Sequence, residues 1–200
     1  MRRPHTQSRT EARTPALMVL AAVTIVVLTA AACGGSSLPG SPADQANALV
    51  TAGLRAQLGG DLGTAQGDYQ QAVGLNGNNK YAHYDLGTTY DAQGNHTQAV
   101  AEYKTAIAID PNFVGALYNL GVDTAGTDPA LAEQLYQKVV TLSPNDAAGW
   151  LNLGFVLIGM GQASAARVDW AKAVALDPTL ASRIPSMTPS PASNPSATPG

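Results

Sequence analysis

The sequence predicts an all-α fold, a right-handed solenoid of about four stacked helical hairpins, and two observations predict it. The first is a repeat, because the tetrapeptides YDLG, YNLG and LNLG end at glycines that lie 34 and 33 residues apart. The second is helical spacing: Ala99, Tyr103 and Ala106 recur at i, i+4 and i+7, which share one face of a helix. A fixed period of this length indicates supersecondary units that stack on one another.

The first 32 residues have the layout of a secretory signal peptide. Four arginines precede an uncharged apolar run over residues 16–32, which ends in small residues as at a cleavage site. The stretch LTAAAC, residues 28–33, resembles the lipobox of bacterial lipoproteins, although Ala30 stands where that family prefers leucine. The resemblance implies that Cys33 is lipidated and becomes the new N-terminus.

This N-terminal segment leaves two interpretations open. In the first, residues 1–32 are removed and the lipid on Cys33 anchors the protein to a membrane. In the second, the segment stays uncleaved as a signal anchor. Either one places the rest of the chain in the cell envelope, on the extracytoplasmic face of a membrane. Cys33 is the single cysteine, so an intramolecular disulfide is excluded.

Low-complexity segments flank the repeated region. Residues 33–45 are rich in Gly, Ser and Pro and predict a flexible tether. Residues 181–200 are rich in Pro, Ser and Thr, a composition that buries too little apolar surface to order itself. We therefore expect a disordered C-terminal tail.

Between these segments, signature residues recur at matching places in two units. The second unit has Leu86, Gly87, Tyr90, Gly94, Ala99, Tyr103, Ala106 and Pro111. The fourth has Trp150, Leu153, Gly154, Gly161, Ala166, Trp170, Ala173 and Pro178. Both sets resemble the signature of the tetratricopeptide repeat, and the period agrees with that family. The predicted units are 46–79, 80–113, 114–146 and 147–180.

The other two units depart from the pattern. The first is degenerate, as end repeats commonly are, with Ala52 and Gly77 at the usual leucine and proline positions. The third lacks one residue before Ala132, which predicts a shortened turn. In that turn Asp128 can cap the next helix and Pro129 can begin it.

The resemblance also implies a site, because in this family the first helix of each hairpin lines a concave groove. The residues expected to line it here are Tyr81, Tyr84, Asp85, Thr88, Tyr118, Asn119, Val122, Leu151, Asn152 and Phe155. Asn119 and Asn152 precede the Leu-Gly pair and resemble the asparagine ladder of some members, whose amides bind a peptide backbone. The alternative is that these amides hydrogen-bond the neighbouring repeat.

Several classes of function are not supported by the sequence. Residues 33–200 carry 7 basic and 13 acidic residues, a net charge of −6, which argues against nucleic acid as a partner. We expect no catalytic activity, no cofactor and no bound metal. The reason is that His83 and His96 each lack a cysteine or a second histidine at the spacing of metal ligands. The groove also lacks the lysines and arginines of the family's carboxylate clamp.

The function that follows is a membrane-anchored scaffold whose groove binds a segment of another protein in envelope assembly. The alternative is a structural lipoprotein that associates with itself. That alternative depends on the outer face of the last hairpin, around Trp170 and Val174, being left uncovered.

Overall fold

The computed structural model describes residues 40–185, which form eight α-helices and a terminal 3₁₀-helix without a strand. The helices are α1 (Pro42–Leu58), α2 (Leu62–Leu75), α3 (Lys80–Ala92), α4 (His96–Ile109), α5 (Val114–Thr124), α6 (Pro129–Leu142), α7 (Ala147–Gly159), α8 (Ala163–Leu176) and the 3₁₀-helix Pro178–Arg183. Consecutive helices pair as hairpins 1 to 4, which are α1–α2, α3–α4, α5–α6 and α7–α8. The second helix of each hairpin packs on the first helix of the next. The predicted all-α solenoid is confirmed.

Each hairpin is closed by a glycine on its first helix and an aromatic ring on its second. A Cβ atom built on the glycine would lie 2.4–2.9 Å from that ring. Only hydrogen therefore leaves room for the ring, and the four rings are 0–3% exposed. The pairs are Gly53 with Tyr69, Gly87 with Tyr103, Gly121 with Tyr136, and Gly154 with Trp170.

The turns inside the hairpins differ in one respect that the sequence predicted. Gly60, Gly94 and Gly161 have φ angles of 78–83° in hairpins 1, 2 and 4, a left-handed conformation that favours glycine. The shorter third turn has no such residue. There Asp128 Oδ1 accepts a hydrogen bond from the backbone N–H of Leu131 at 3.1 Å, and Pro129 is the first helical residue. The predicted cap is confirmed.

The predicted tether is wrong at its C-terminal end, because α1 begins at Pro42 rather than at residue 46. Ser41 and Asp44 form a capping box, in which the backbone N–H of each residue donates to the side chain of the other. Pro42 adds to this start, since its fixed φ suits the first helical position. Residues 33–39 lie outside the described residues.

The predicted C-terminal tail is likewise wrong over its first residues. The 3₁₀-helix extends to Arg183, and Leu180 and Ile184 pack against the core cluster that joins hairpins 3 and 4. Trp170 is 3% exposed, because its ring points inward onto Gly154. The outer face of α8 is therefore not open at Trp170. Residues 186–200 lie outside the described residues.

Candidate functional site

A pocket of about 420 Å³ opens between α5 and α7. We call it the α5–α7 pocket; it is lined by Val122, Ala125, Pro129, Tyr136, Asn152, Phe155, Val156 and Gly159. The lining is mainly apolar. Val122 is 51% exposed, whereas Tyr136 lies at the floor and is 1% exposed. The structure thus brings Val122, Asn152 and Phe155, three of the predicted groove residues, to one pocket.

Tyrosine hydroxyl groups bind the two ladder asparagines. Asn152 Nδ2 donates to the hydroxyl of Tyr118 at 2.8 Å and to that of Tyr136 at 3.4 Å. Asn119 Nδ2 donates to the hydroxyl of Tyr103 at 3.3 Å. The contact to Tyr118 crosses from hairpin 4 to hairpin 3, as the alternative interpretation of these residues expects. Within residues 40–185 the side-chain oxygen of Asn152 accepts no hydrogen bond.

Phe155 forms the aromatic wall of the pocket. Its ring meets the Trp170 ring edge to face, with the centroids 5.3 Å apart. Because Trp170 is itself fixed against Gly154, the Phe155 ring rests on a rigid support. The opposite wall carries the exposed side chain of Val122. A partner would therefore meet two apolar surfaces with an amide between them.

Tyr81 and Tyr84, the groove tyrosines predicted on hairpin 2, do not line the α5–α7 pocket. Tyr84 and Tyr81 both pack on Phe113, with ring centroids 4.9 and 5.5 Å apart. Lys80 Nζ lies 2.5 Å from a carboxylate oxygen of Asp110 and within 5.3 Å of the centroids of the Tyr81 and Phe113 rings. Tyr81 therefore lines a polar cleft rather than the α5–α7 pocket.

Leu151 is not a groove residue. It is 1% exposed and packs in the core cluster that joins hairpins 3 and 4. Helix α7 is apolar around most of its circumference, so its sequence pattern does not show which face is buried. The backbone carbonyl of Leu151 accepts a hydrogen bond from Trp170 Nε1 at 3.1 Å.

Asp85 and Thr88 lie on α3, next to hairpin 1. Thr88 Oγ1 donates to the backbone carbonyl of Asp85 at 2.9 Å and accepts from Gln57 Nε2 at 3.4 Å. Burial raises the pKa of the Asp85 carboxyl to about 6. No hydrogen bond to that carboxylate is present within residues 40–185.

A cluster of two carboxylates and an imidazole lies where hairpins 2 and 3 meet. It consists of Asp91 on the last turn of α3, His96 at the first residue of α4 and Asp123 near the end of α5. One candidate ligand atom from each residue lies within 4.8 Å of the other two. Sequence reasoning missed this cluster because it looked for a second histidine or a cysteine.

The other histidine of residues 40–185, His83, is buried and has hydrogen-bond partners. His83 is 7% exposed, and its two ring nitrogens lie 2.6 Å from Glu102 Oε2 and 3.0 Å from the carbonyl oxygen of Gly77. Both nitrogens therefore have partners, Glu102 within hairpin 2 and Gly77 in the loop between α2 and α3.

The predicted lipidation site, Cys33, lies outside the described residues. Within residues 40–185 no helix is both long enough and apolar enough to span a bilayer.

Comparison with known proteins identifies the repeats. Residues 89–122 match a family model described as TPR repeat, and residues 135–168 match one described as tetratricopeptide repeat. Photosystem I assembly protein Ycf3 of Acaryochloris marina (strain MBIC 11017) is 28% identical over 120 residues, which cover 50% of this chain and 72% of that protein.

Solved structures show the same fold. A crystal structure of MamA superposes with a TM-score of 0.63 at 21% identity and covers 68% of this chain and 81% of its own. MamA from Desulfovibrio magneticus RS-1, from residue 41 to its end, gives 0.63 at 24% identity, covering 68% and 77%. Pseudomonas aeruginosa PilF gives 0.60 at 22%, covering 68% and 63%.

The family matches and the solved structures agree on the same repeated architecture. Stacked hairpins of this kind present an extended surface to other proteins, and two segments of this chain carry the repeat. Both matched segments lie within the solenoid of helical hairpins.

Proposed function

We propose that this protein is a membrane-anchored scaffold on the extracytoplasmic face of a cell envelope, where its groove holds a segment of a partner in envelope assembly. The lipobox-like residues before Cys33 support the anchor, and the α5–α7 pocket supports the binding site. The observation that carries the proposal is the pocket itself, because it combines apolar walls with the side-chain amide of Asn152.

The chemistry of the pocket indicates what the partner segment contains. Val122 and Phe155 offer apolar contacts, so the segment supplies an apolar anchor side chain. The side-chain oxygen of Asn152 can accept a backbone N–H from the same segment. Residues 33–200 carry a net charge of −6, so neutral and basic segments are favoured over acidic ones.

A photo-crosslinking experiment in intact cells tests this site. Val122 is replaced by p-benzoylphenylalanine in the full chain, and Val168, which is 56% exposed on α8 away from the pocket, is replaced in the same way as a control. We expect a specific adduct with another polypeptide from position 122 that position 168 does not give. Identical adducts from both positions would count against the pocket. Adducts only with a second copy would favour the alternative, a self-associating envelope lipoprotein.

Substitutions in the pocket should weaken capture without unfolding the chain. Phe155→Ala removes an apolar wall, and Asn152→Ala removes the amide; we expect each to lower the yield of the position-122 adduct about fivefold to tenfold, since central contacts are commonly worth about 1–2 kcal/mol. Far-UV circular dichroism should be unchanged. Lys138→Ala on α6, outside the pocket lining, is the control and should leave the yield as it was. Unaltered capture by both pocket variants would contradict the assignment.

Metabolic labelling tests the anchor. Cells expressing the full chain are fed an alkyne-bearing palmitate, and we expect label on the unaltered protein and none on Cys33→Ser, because Cys33 supplies the single thiol. Mass spectrometry should place the mature N-terminus at Cys33. An unlabelled protein that keeps residues 1–32 would instead support the uncleaved signal anchor.

A further inference from the structure

The cluster of Asp91, His96 and Asp123 has the geometry of a metal site. His96 Nδ1 lies 3.2 Å from Asp91 Oδ1 and 3.5 Å from Asp123 Oδ1. Ligands about 2.1 Å from a tetrahedral zinc ion are about 3.4 Å apart. Two of the three ligand-to-ligand distances thus already fit an ion between them. The three residues offer one nitrogen and two carboxylates, a donor set that zinc accepts.

A second observation points to a ligand. The Asp123 side chain is 7% exposed, and its Oδ2 atom is buried without a hydrogen-bond partner. A buried carboxylate oxygen without a partner is costly unless a proton or a cation satisfies it. The negative charge of Asp91, whose carboxylate lies in the same cluster, adds to that cost.

The surroundings hold one ligand in place and leave the site open. The Tyr103 hydroxyl donates to Asp91 Oδ2 at 2.6 Å, and Asn119 Nδ2 donates to that hydroxyl at 3.3 Å. Hydrogen bonds of this kind orient the carboxylates that bind metals. The imidazole of His96 is 67% exposed, so an ion has a path from solvent.

We propose that Asp91, His96 and Asp123 bind a divalent transition-metal ion, with zinc as the best fit, at the junction of hairpins 2 and 3. The three ligands come from α3, α4 and α5, so the ion links hairpin 2 to hairpin 3. Water completes the coordination on the exposed side. Calcium and magnesium are disfavoured, since both prefer all-oxygen ligands in larger number.

The test uses the untagged full chain in detergent micelles with Co²⁺ as a spectroscopic probe. We expect visible absorption bands at one equivalent of Co²⁺ and their loss when Zn²⁺ displaces it. Zinc affinity is then measured by competition with a chromogenic chelator. His96→Ala and Asp123→Asn should each lower it more than about tenfold, since even the loss of an outer-shell partner costs about 10–100-fold.

The controls distinguish a specific metal site from nonspecific binding by surface carboxylates. Asp68→Asn changes a half-buried aspartate of α2 and should leave zinc affinity unchanged. Circular dichroism confirms that each variant is folded; His96→Ala is the decisive one because its side chain is exposed. Equal affinity in all four proteins, or no binding above chelator background, would overturn the proposal and leave a proton shared between Asp91 and Asp123 as the explanation.

Discussion

Replacing Trp170 by alanine should lower the free energy of unfolding by about 3–5 kcal/mol, the usual range for removing a buried large aromatic side chain. The ring is 3% exposed, packs on Gly154 and Phe155, and donates a hydrogen bond to the carbonyl of Leu151. The measurement is urea unfolding followed by circular dichroism, on the chain lacking residues 1–33. Val168→Ala on the same helix is the matched control and should change stability by less than about 0.5 kcal/mol.

The pair Gly154 and Trp170 offers a sharper form of the same test. A methyl group at Gly154 would lie 2.4 Å from two atoms of the indole, so Gly154→Ala should cost about 1–3 kcal/mol in spite of the better helix propensity of alanine. In the Trp170→Ala background that clash is absent, and the same substitution should be neutral or stabilising. Equal cost in both backgrounds would show that the close approach is not the reason for the glycine.

Replacing Asp85 by asparagine should stabilise the protein at pH 7.5 by about 1–2 kcal/mol. Burial raises the pKa of this carboxyl from its usual value to about 6, so the folded state binds more protons than the unfolded state between about pH 4 and 6. Stability from this group is therefore present at low pH and is lost as the pH rises through about 6. A pKa shift of two units corresponds to about 2.7 kcal/mol. The expected gain of about 1–2 kcal/mol is smaller because the carboxyl is partly exposed to solvent.

The pH dependence distinguishes this effect from a change in packing. The advantage of Asp85→Asn should be full above about pH 7 and should vanish near pH 4, where the aspartic acid is neutral too. Urea unfolding at several pH values measures it. The control, Asp68→Asn, should alter stability by less than about 0.5 kcal/mol. An advantage that stays constant from pH 4 to 7.5 would refute the electrostatic explanation.

The fold could be predicted because its determinants are repeated. Each hairpin needs one glycine under one aromatic ring, and that requirement returns in the sequence with a fixed period, as at Gly87 with Tyr103 and Gly154 with Trp170. The start of α1 also had a signal, since Ser41 and Asp44 have the spacing of a capping box. The prediction of a flexible tether over residues 33–45 gave more weight to their composition than to this capping pattern.

The site was less predictable, for two physical reasons. Leu151 was misplaced because α7 is apolar on most sides, and only tertiary packing decides which side faces α6. The cluster at His96 was missed because Asp123 comes from the next hairpin, 27 residues further along the chain. Proximity between hairpins depends on how they stack, which no short sequence motif records.

The hydrogen bonds that hold Asn152 have a further consequence for recognition. Since Tyr118 and Tyr136 fix the amide from two sides, the rotamer of Asn152 is already chosen in the free protein. An incoming segment does not have to immobilise this side chain, and the entropy loss that usually weakens binding at flexible polar residues is avoided. The surface is preorganised, so a short segment with few contacts can be retained.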